Sequence, residues 1–402
     1  MEVSAWDVRS LAEISTMISG GTPSKSEPKY WSGDIPWISA SSMTGIELAT
    51  SDRMVTTEAI GNGTRIAAPG STLVLVRGMS LLREVKLGHA SREMAFNQDV
   101  KALFPKQGID DWFLTFALKA QESVLLDSVH LAGHGTGVLA SSVLQGLSIP
   151  IPDLGTQKRI ARVLRDFNEL IDQNLRLSLD LDDLFVLSIV DLEDDIASTA
   201  LLGDLVELNK GLSYKGEYLS SSGLPMISLA SFGLDGRHKR SGEKFYIGPV
   251  RENAMLEEGD LVVANTDLTQ RRELIARPLL VPYARATSTH HTFQIRTEDK
   301  ARKAWIYGLL RSDKRRELLA AFSTGTTVSA LPKDALANLS LPWPLPSQLT
   351  EWWAHASFLL SARKELLTEV SELEKARDEL LPLLMSGEAE VRDLESENDA
   401  SN

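Results

Sequence analysis

The 402-residue chain is 43% hydrophobic and 24% charged, the balance of a globular protein of two or three domains, and its lack of cysteine excludes disulfides, thiolate metal sites and a cysteine nucleophile. The opening "MEVSAWDVRSLAEI" has no basic segment leading an apolar run, and no stretch reaches the roughly 20 apolar residues that span a bilayer, so a cytoplasmic protein without membrane contact is expected. A net charge of −13 would disfavour nucleic acid if evenly spread, but residues 166–195 hold ten acids against Arg176 alone, whereas residues 237–320 hold seventeen Lys and Arg against eleven acids.

Residues 1–152 mix short β-branched runs such as "STLVLV" with the amphipathic helical stretch "DWFLTFALKAQESVLL", and the prolines of "IPIPD" end the segment because they continue neither a ladder nor a helix. Residues 153–199 place Ile160, Val163, Phe167, Leu170, Asn174, Leu177, Leu181 and Leu184 at alternating steps of three and four, which predicts a coiled-coil helix with a buried amide at Asn174. Its dense carboxylates read as a solvated face. Residues 200–344 return to the grammar of the first segment, with "DLVVAN" as a strand, "KAWIYGLLRSDKRRELLAAF" as a helix and "LPWPLP" as the close. A second long helix over residues 345–386 keeps Ala356, Leu359, Leu366, Val370, Leu373 and Leu380 in period, interrupted by Arg363 and Arg377 and ended by Pro382 and Gly387. The acidic residues 387–402 have no apolar period and read as a solvated, disordered tail.

The two halves match in order. "LAEI" at Leu11 pairs with "LVEL" at Leu205, followed by Gly20 and Gly211. "GDIPWIS" at Gly33 pairs with "SGLPMIS" at Ser222, "APGSTLVLV" with "EEGDLVVAN", "GTGV" at Gly135 with "GTTV" at Gly325, and "LSIPIPDLGTQ" with "LSLPWPLPSQ", all at offsets of 189 to 194. The fold class is therefore α+β: two tandem copies related by a pseudo-two-fold axis, separated and joined by two long antiparallel coiled-coil helices. Two helices that pack only on their own domains are the plainer alternative.

No catalytic constellation is present. A phosphate loop ending in Gly-Lys-Ser/Thr and an Asn/Asp-Pro-Pro-aromatic motif are both missing, and "GHGTG" at Gly133 lacks a serine nucleophile. That loop reads as a tight turn needing positive φ, or as backbone amides facing a phosphate. His290 and His291 are adjacent, so on a strand they would face opposite ways and share no metal, though one could reach a base edge. Asn, Gln and Arg make bidentate contacts to adenine and guanine. The loop "ANTDLTQRRELIAR" offers Asn265, Thr266, Thr269, Gln270, Arg271 and Arg272, and its counterpart offers Arg77, Ser80, Arg83 and Lys86. Lys25, Asn97, Gln98, Thr136, Lys210, Lys215 and Thr326 lie near the repeat anchors and complete the candidate DNA-binding set.

The order of variable domain, "LSIPIPDLGTQKRIARVL" helix, second variable domain and "LSLPWPLPSQ" helix resembles the specificity subunits of type I restriction-modification systems. "GGTPSKSEPKYWSGDIPWIS" is similar to the start of their target-recognition domains and "GTTVSALPKDALANLSLPWP" to the close. The resemblance spans nearly the whole chain, with one departure: "PLPSQLTEWWAHAS" lacks the usual basic residues after the Gln. It implies that each domain reads one half of a split, asymmetric double-stranded DNA site and that the helices set the gap between the halves. It also implies a non-catalytic chain that binds no cofactor and works with two methyltransferase subunits, which use S-adenosylmethionine, and two restriction subunits, which use ATP and magnesium. The acidic first helix and the apolar remainder of the seams are then candidates for the methyltransferase contact. A methylation-only adaptor would share this sequence. A protein-interaction scaffold built on the coiled coil is the alternative without DNA. On the DNA reading, Arg77→Ala and Arg271→Ala each weaken binding to one half-site in a shift assay, whereas equal losses on every sequence would mark phosphate contacts.

Overall fold

The computed structural model describes residues 6–391 apart from 235, 237, 240–242, 270, 271, 326 and 327. The chain divides into two units, Met1–Gln173 with Glu369–Asn402, and Asn174–Thr368. Two uninterrupted helices, Leu154–Glu193 and Pro346–Ser386, each give one half to either unit. Among the described residues no helix is long and apolar enough to cross a membrane.

In the first unit a five-stranded sheet runs in the order Ser15–Ser19, Val100–Pro105, Thr72–Leu75, Leu87–Ala90 and Glu47–Leu48. The second unit repeats its first four positions with Glu207–Lys210, Thr292–Arg296, Leu261–Ala264 and Pro278–Leu280. The repeated phrases occupy one position. Ile35–Ile38 pairs in parallel with Met94–Phe96, and Leu224–Ile227 pairs in parallel with Thr287–Ser288. Gly20 and Gly211 follow the first strands of the equivalent sheets for one physical reason. A Cβ at Gly20 would lie 2.2 Å from the Phe96 carbonyl oxygen, and one at Gly211 would lie 2.2 Å from that of Thr289, so only glycine lets the backbones approach.

One of the five sequence anchors needs a different register. Val138 pairs with Arg77 and Ala330 pairs with Thr266, and the next amides, of Leu139 and Leu331, donate to the carbonyls of Val76 and Asn265. Val138 is therefore the counterpart of Ala330 and not of Val328. The prolines also behave differently from expectation, since they lie within strands. Ser148–Ile151 pairs with Asp7–Ser10, with Pro150 opposite Val8, and Ser340–Pro342 pairs with Thr199–Leu201. A two-stranded ladder has two open edges, so the missing amide can face away from the partner.

Each expected domain helix is broken once. The first becomes Asp111–Ala120 and Glu122–Asp127, and the second becomes Lys300–Arg311 and Asp313–Ala321. Asp110 and Asp299 cap the leading helices by accepting from the amides of Phe113 and Arg302. The long helices belong to the cores. Ile160, Ala161 and Leu164 join Leu381, Leu384 and Met385 in the first unit, and Phe185 and Ile189 join Trp352 and Ala356 in the second.

Half of the expected seam on the first long helix is displaced by one residue. Ile160 and Asn174 are buried and Phe167 and Leu181 are half-buried, but Leu164, Ile171, Ser178 and Phe185 face inward in place of Val163, Leu170, Leu177 and Leu184, the last three being exposed. On the second helix Val370 is buried and Leu359, Leu366 and Leu373 are half-buried. Residues 387–391 are ordered against expectation: Ala389 and Val391 pack on the first core, and the Ala389 amide returns to the Leu383 carbonyl. The helix passes through Pro382 to Ser386. Residues 392–402 lie outside the described residues.

The arginines that interrupt the second seam have polar partners on the first helix. Arg377 Nη1 donates to Asn168 Oδ1 at 2.8 Å. Arg363 Nε lies 3.3 Å from Asp182 Oδ1, and Arg311 Nη2 lies 2.7 Å from Asp182 Oδ2. Tyr307 Oη donates to Oδ1 at 3.1 Å, and burial, more than its charged neighbours, pushes the phenol up to about 12, which keeps it a neutral donor. Asp182 is 1% exposed, so it is a core carboxylate and not part of a solvated face. Antiparallel pairing in this unit follows from Asp182 with Arg363 and Ser188 with Trp352, whose indole donates to the Ser188 hydroxyl at 3.0 Å. The "EWW" departure thus places Trp352 in the core, edge-on to Trp305 at 5.0 Å.

Removing Asp182 takes away the buried carboxylate that Arg363 and Arg311 share. Asp182→Ala is expected to cost about 3–5 kcal/mol in urea unfolding of the full chain. Asp182→Asn, which retains an acceptor for Tyr307, is expected to cost less.

Candidate nucleic-acid interface

Two equivalent turns organise the polar loops of the units. In the first, residues 97–99 link Met94–Phe96 to Val100–Pro105, and in the second, residues 289–291 link Thr287–Ser288 to Thr292–Arg296. The Val76 amide donates to the Asp99 carbonyl at 2.8 Å and the Asn265 amide to the His291 carbonyl at 3.0 Å, so each turn is tied to the same neighbouring loop. Gln98 and His290 are counterparts on this scaffold.

His290 and His291 lie in a turn and not along a strand, and their rings come together at 3.9 Å between centroids, contrary to the opposite-facing expectation. His291 Nδ1 is 3.2 Å from Thr266 Oγ1, whereas the buried Nδ1 of His290 has no hydrogen-bond partner. Tyr214 stands 6.4 Å from the His290 ring, and Lys244 Nζ reaches the Tyr214 hydroxyl at 3.3 Å. Partial burial, then the Lys210 ammonium, holds His290 below the ordinary imidazole value. His291 is lowered by burial, then by His290, Lys210 and Lys244. Both imidazoles are therefore neutral at pH 7, able to donate and accept. Among the described residues no group of three metal-ligating side chains forms.

Several candidates build loops and do not project from them. Asn265 and Thr266 are buried. The Asn265 amide donates to the His290 carbonyl at 3.1 Å and its oxygen accepts from Thr266 at 2.7 Å. Asn97 is likewise buried, its oxygen accepting from the Asp99 amide. Thr269 donates its amide and hydroxyl to Asp267 Oδ1. Lys86 donates to the Ala40 carbonyl, and Arg272, at φ 55°, reaches the Ala320 carbonyl. The short polar residues that read bases also form Asx turns, and here the turn role prevails. Thr136 and Ser80 are half-buried.

Lys25, Arg77, Arg83, Gln98, Lys210 and Lys215 are exposed; Gln98 accepts from the Thr22 hydroxyl at 2.6 Å, and Lys215 lies 3.7 Å from Glu217. Gln270, Arg271 and Thr326 lie outside the described residues. Tyr214 and Lys244 were missed, although the aromatic and basic residues of "LSYKG" and "GEKFY" were the available signal. Much of the basic excess of residues 237–320 is internal: Arg311 is held by Asp182, Lys303 by Asp260 at 2.9 Å, Arg315 by Glu193, and Arg296 by the carbonyls of Asn253 and Met255.

Residues 3–179 match the family described as type I restriction modification DNA specificity domain. That stretch is similar to a type I specificity domain. The second unit repeats four positions of the strand order found in that stretch. The type I restriction enzyme MjaIX specificity subunit of Methanocaldococcus jannaschii is 24% identical over 97% of this chain and 94% of its own length. The EcoR124I/EcoR124II specificity subunit of Escherichia coli is 29% identical over 40% of this chain, and the match spans 41% of that protein. The crystal structure of a type I restriction-modification system S subunit from M. genitalium shares the fold with a TM-score of 0.53 at 16% identity, covering 94% of this chain and 96% of that one. The likeness read from the order of motifs is met along nearly the whole chain by the MjaIX match.

Replacing Lys210 with Gln removes a positive charge from beside both imidazoles. NMR titration of the full chain should show the His290 and His291 pKa values rising toward the ordinary 6.5. Unchanged values would mean that burial and the remaining neighbours, not Lys210, depress them.

Proposed function

We propose that this chain is a non-catalytic, sequence-specific DNA-binding subunit that reads a bipartite, asymmetric site, one half with each specificity domain, and directs methyltransferase and restriction subunits to it. The observation that carries the reading is the pair of equivalent turns, which rest on the same glycine approach yet present Gln98 in one copy and His290 in the other. One scaffold carrying two sets of side chains suits two different half-sites. Arg77 and Arg83 in one domain and Lys210 and Lys244 in the other supply cations, whose release of counterions makes binding fall steeply with salt.

Each long helix, of 40 and 41 residues, rises about 60 Å, which suits a spacer between half-sites. The exposed Leu170, Leu177 and Leu184 recur every seven residues among Asp166, Asp180 and Asp183, an apolar stripe edged with acid that suits a helical face of the methyltransferase. On this reading S-adenosylmethionine belongs to two methyltransferase subunits, ATP and magnesium belong to two restriction subunits, and the complex acts on DNA in the cytoplasm.

The test is methylome sequencing of cells expressing the neighbouring methyltransferase with and without this chain. The expected result is methyladenine in a split motif only when the chain is present, with replacement of residues 1–150 changing one half of the motif. Absence of chain-dependent methylation, with the methyltransferase shown to be active, would overturn the reading in favour of a scaffold.

A further inference from the structure

The two specificity domains share one exposed feature that sequence matching alone did not reveal. Val76 and Asn265 are structural counterparts, because each donates to the polar turn and accepts from the strand-end leucine, Leu139 or Leu331. Three residues beyond them stand Met79 and Leu268. Met79 is 75% exposed and Leu268 is 64% exposed, so at the same point of both copies a large apolar side chain is left in water beside the candidate interface. Each has an exposed apolar neighbour on the adjoining loop: Leu131, opposite Gly137 in the ladder that also holds Gly78, and Val328, which precedes Ser329 opposite Asp267.

In the first domain exposed Arg77 and Arg83 flank Met79 in sequence. An apolar tip between cations fits a polyanion that carries apolar groups on its reading surface. Duplex DNA is such a partner, since thymine places a C5-methyl group in the major groove between two lines of phosphates. Resting on the function proposed above, we infer that Met79 and Leu268 are the apolar base contacts of the two half-sites, each packing against thymine methyl groups and so determining specificity at positions the polar turns do not read.

The assay is fluorescence anisotropy of the full chain with its methyltransferase on a labelled duplex carrying the methylated motif, repeated with deoxyuridine for thymine in one half-site at a time. Met79→Ala should lose on the order of tenfold in affinity through one half-site only. It should leave the salt slope unchanged, because no phosphate contact is lost, whereas Arg77→Ala lowers the slope by about 1 if it contacts phosphate. Uracil in that half-site should weaken the wild type and leave Met79→Ala indifferent. Leu268→Ala should do the same through the other half, and Met79→Leu should restore most of the affinity. Circular dichroism should show each variant folded, as expected of exposed side chains. A folded Met79→Ala that binds like the wild type, or a loss unaffected by uracil, would overturn this inference while leaving the proposed function standing. A wild-type chain without preference for the motif would overturn the function itself.

Discussion

The antiparallel ladder between the first and last strands of each domain is the constraint from which the rest follows. Asp7–Ser10 with Ser148–Ile151, and Thr199–Leu201 with Ser340–Pro342, bring the chain into and out of a domain at one place. The long helices then begin within four residues of the closing strands, at Leu154 and Pro346. Asp153 caps the first by accepting from the amide and hydroxyl of Thr156, bonds that hold its carboxylate below the usual range. Buried Gln157 accepts from the Asp110 amide and donates to the Pro152 carbonyl, which fixes the helix to the domain it leaves. With entry and exit closed, the intervening loops carry side chains without being needed to hold the ends together.

Within the second unit the interior is organised around a charge. A carboxylate as buried as Asp182 is tolerated only with its partners in place, and Arg311, Arg363 and Tyr307 come from two further elements. Packing supplies most of the driving force through Trp305, Tyr307 and Phe185, while the polar cluster selects which faces meet. The same economy governs the loops, where Asn97, Asp99, Asn265 and Asp267 spend their hydrogen bonds on turns and leave histidine, glutamine and the long cations to face outward.

The duplication, the α+β class and both long helices were readable in the sequence because they rest on order and period, which survive divergence. The Pro-rich strands were not, since a proline stops a central strand but fits a two-stranded edge, and sequence alone does not count neighbours. The seam on the first helix was half right: Ile160 and Asn174 lie inward, but choosing between Val163 and Leu164, or Leu170 and Ile171, depends on which face the partner covers. At the interface, residue type suggested Asn265 and Thr266 as readers, yet the Asn265 side chain reaches the His290 carbonyl and Thr266 reaches the Asn265 side chain first. Adjacent residues face opposite ways only on a strand, and the tight turn that holds His290 and His291 has no glycine to announce it.

The division of polar groups along the helices has a consequence for assembly. Asn168 and Asp182, the acceptors, lie on the first helix, and Arg377 and Arg363, the cations, lie on the second. A truncated chain with one domain and the first helix, pairing with a copy of itself, would face amide and carboxylate with no guanidinium to neutralise them. The second helix against its own copy would set arginine toward arginine. The heterotypic pairing is thus favoured by attraction and the homotypic ones are penalised by uncompensated charge, so a first helix is steered toward a second helix and away from a copy of itself.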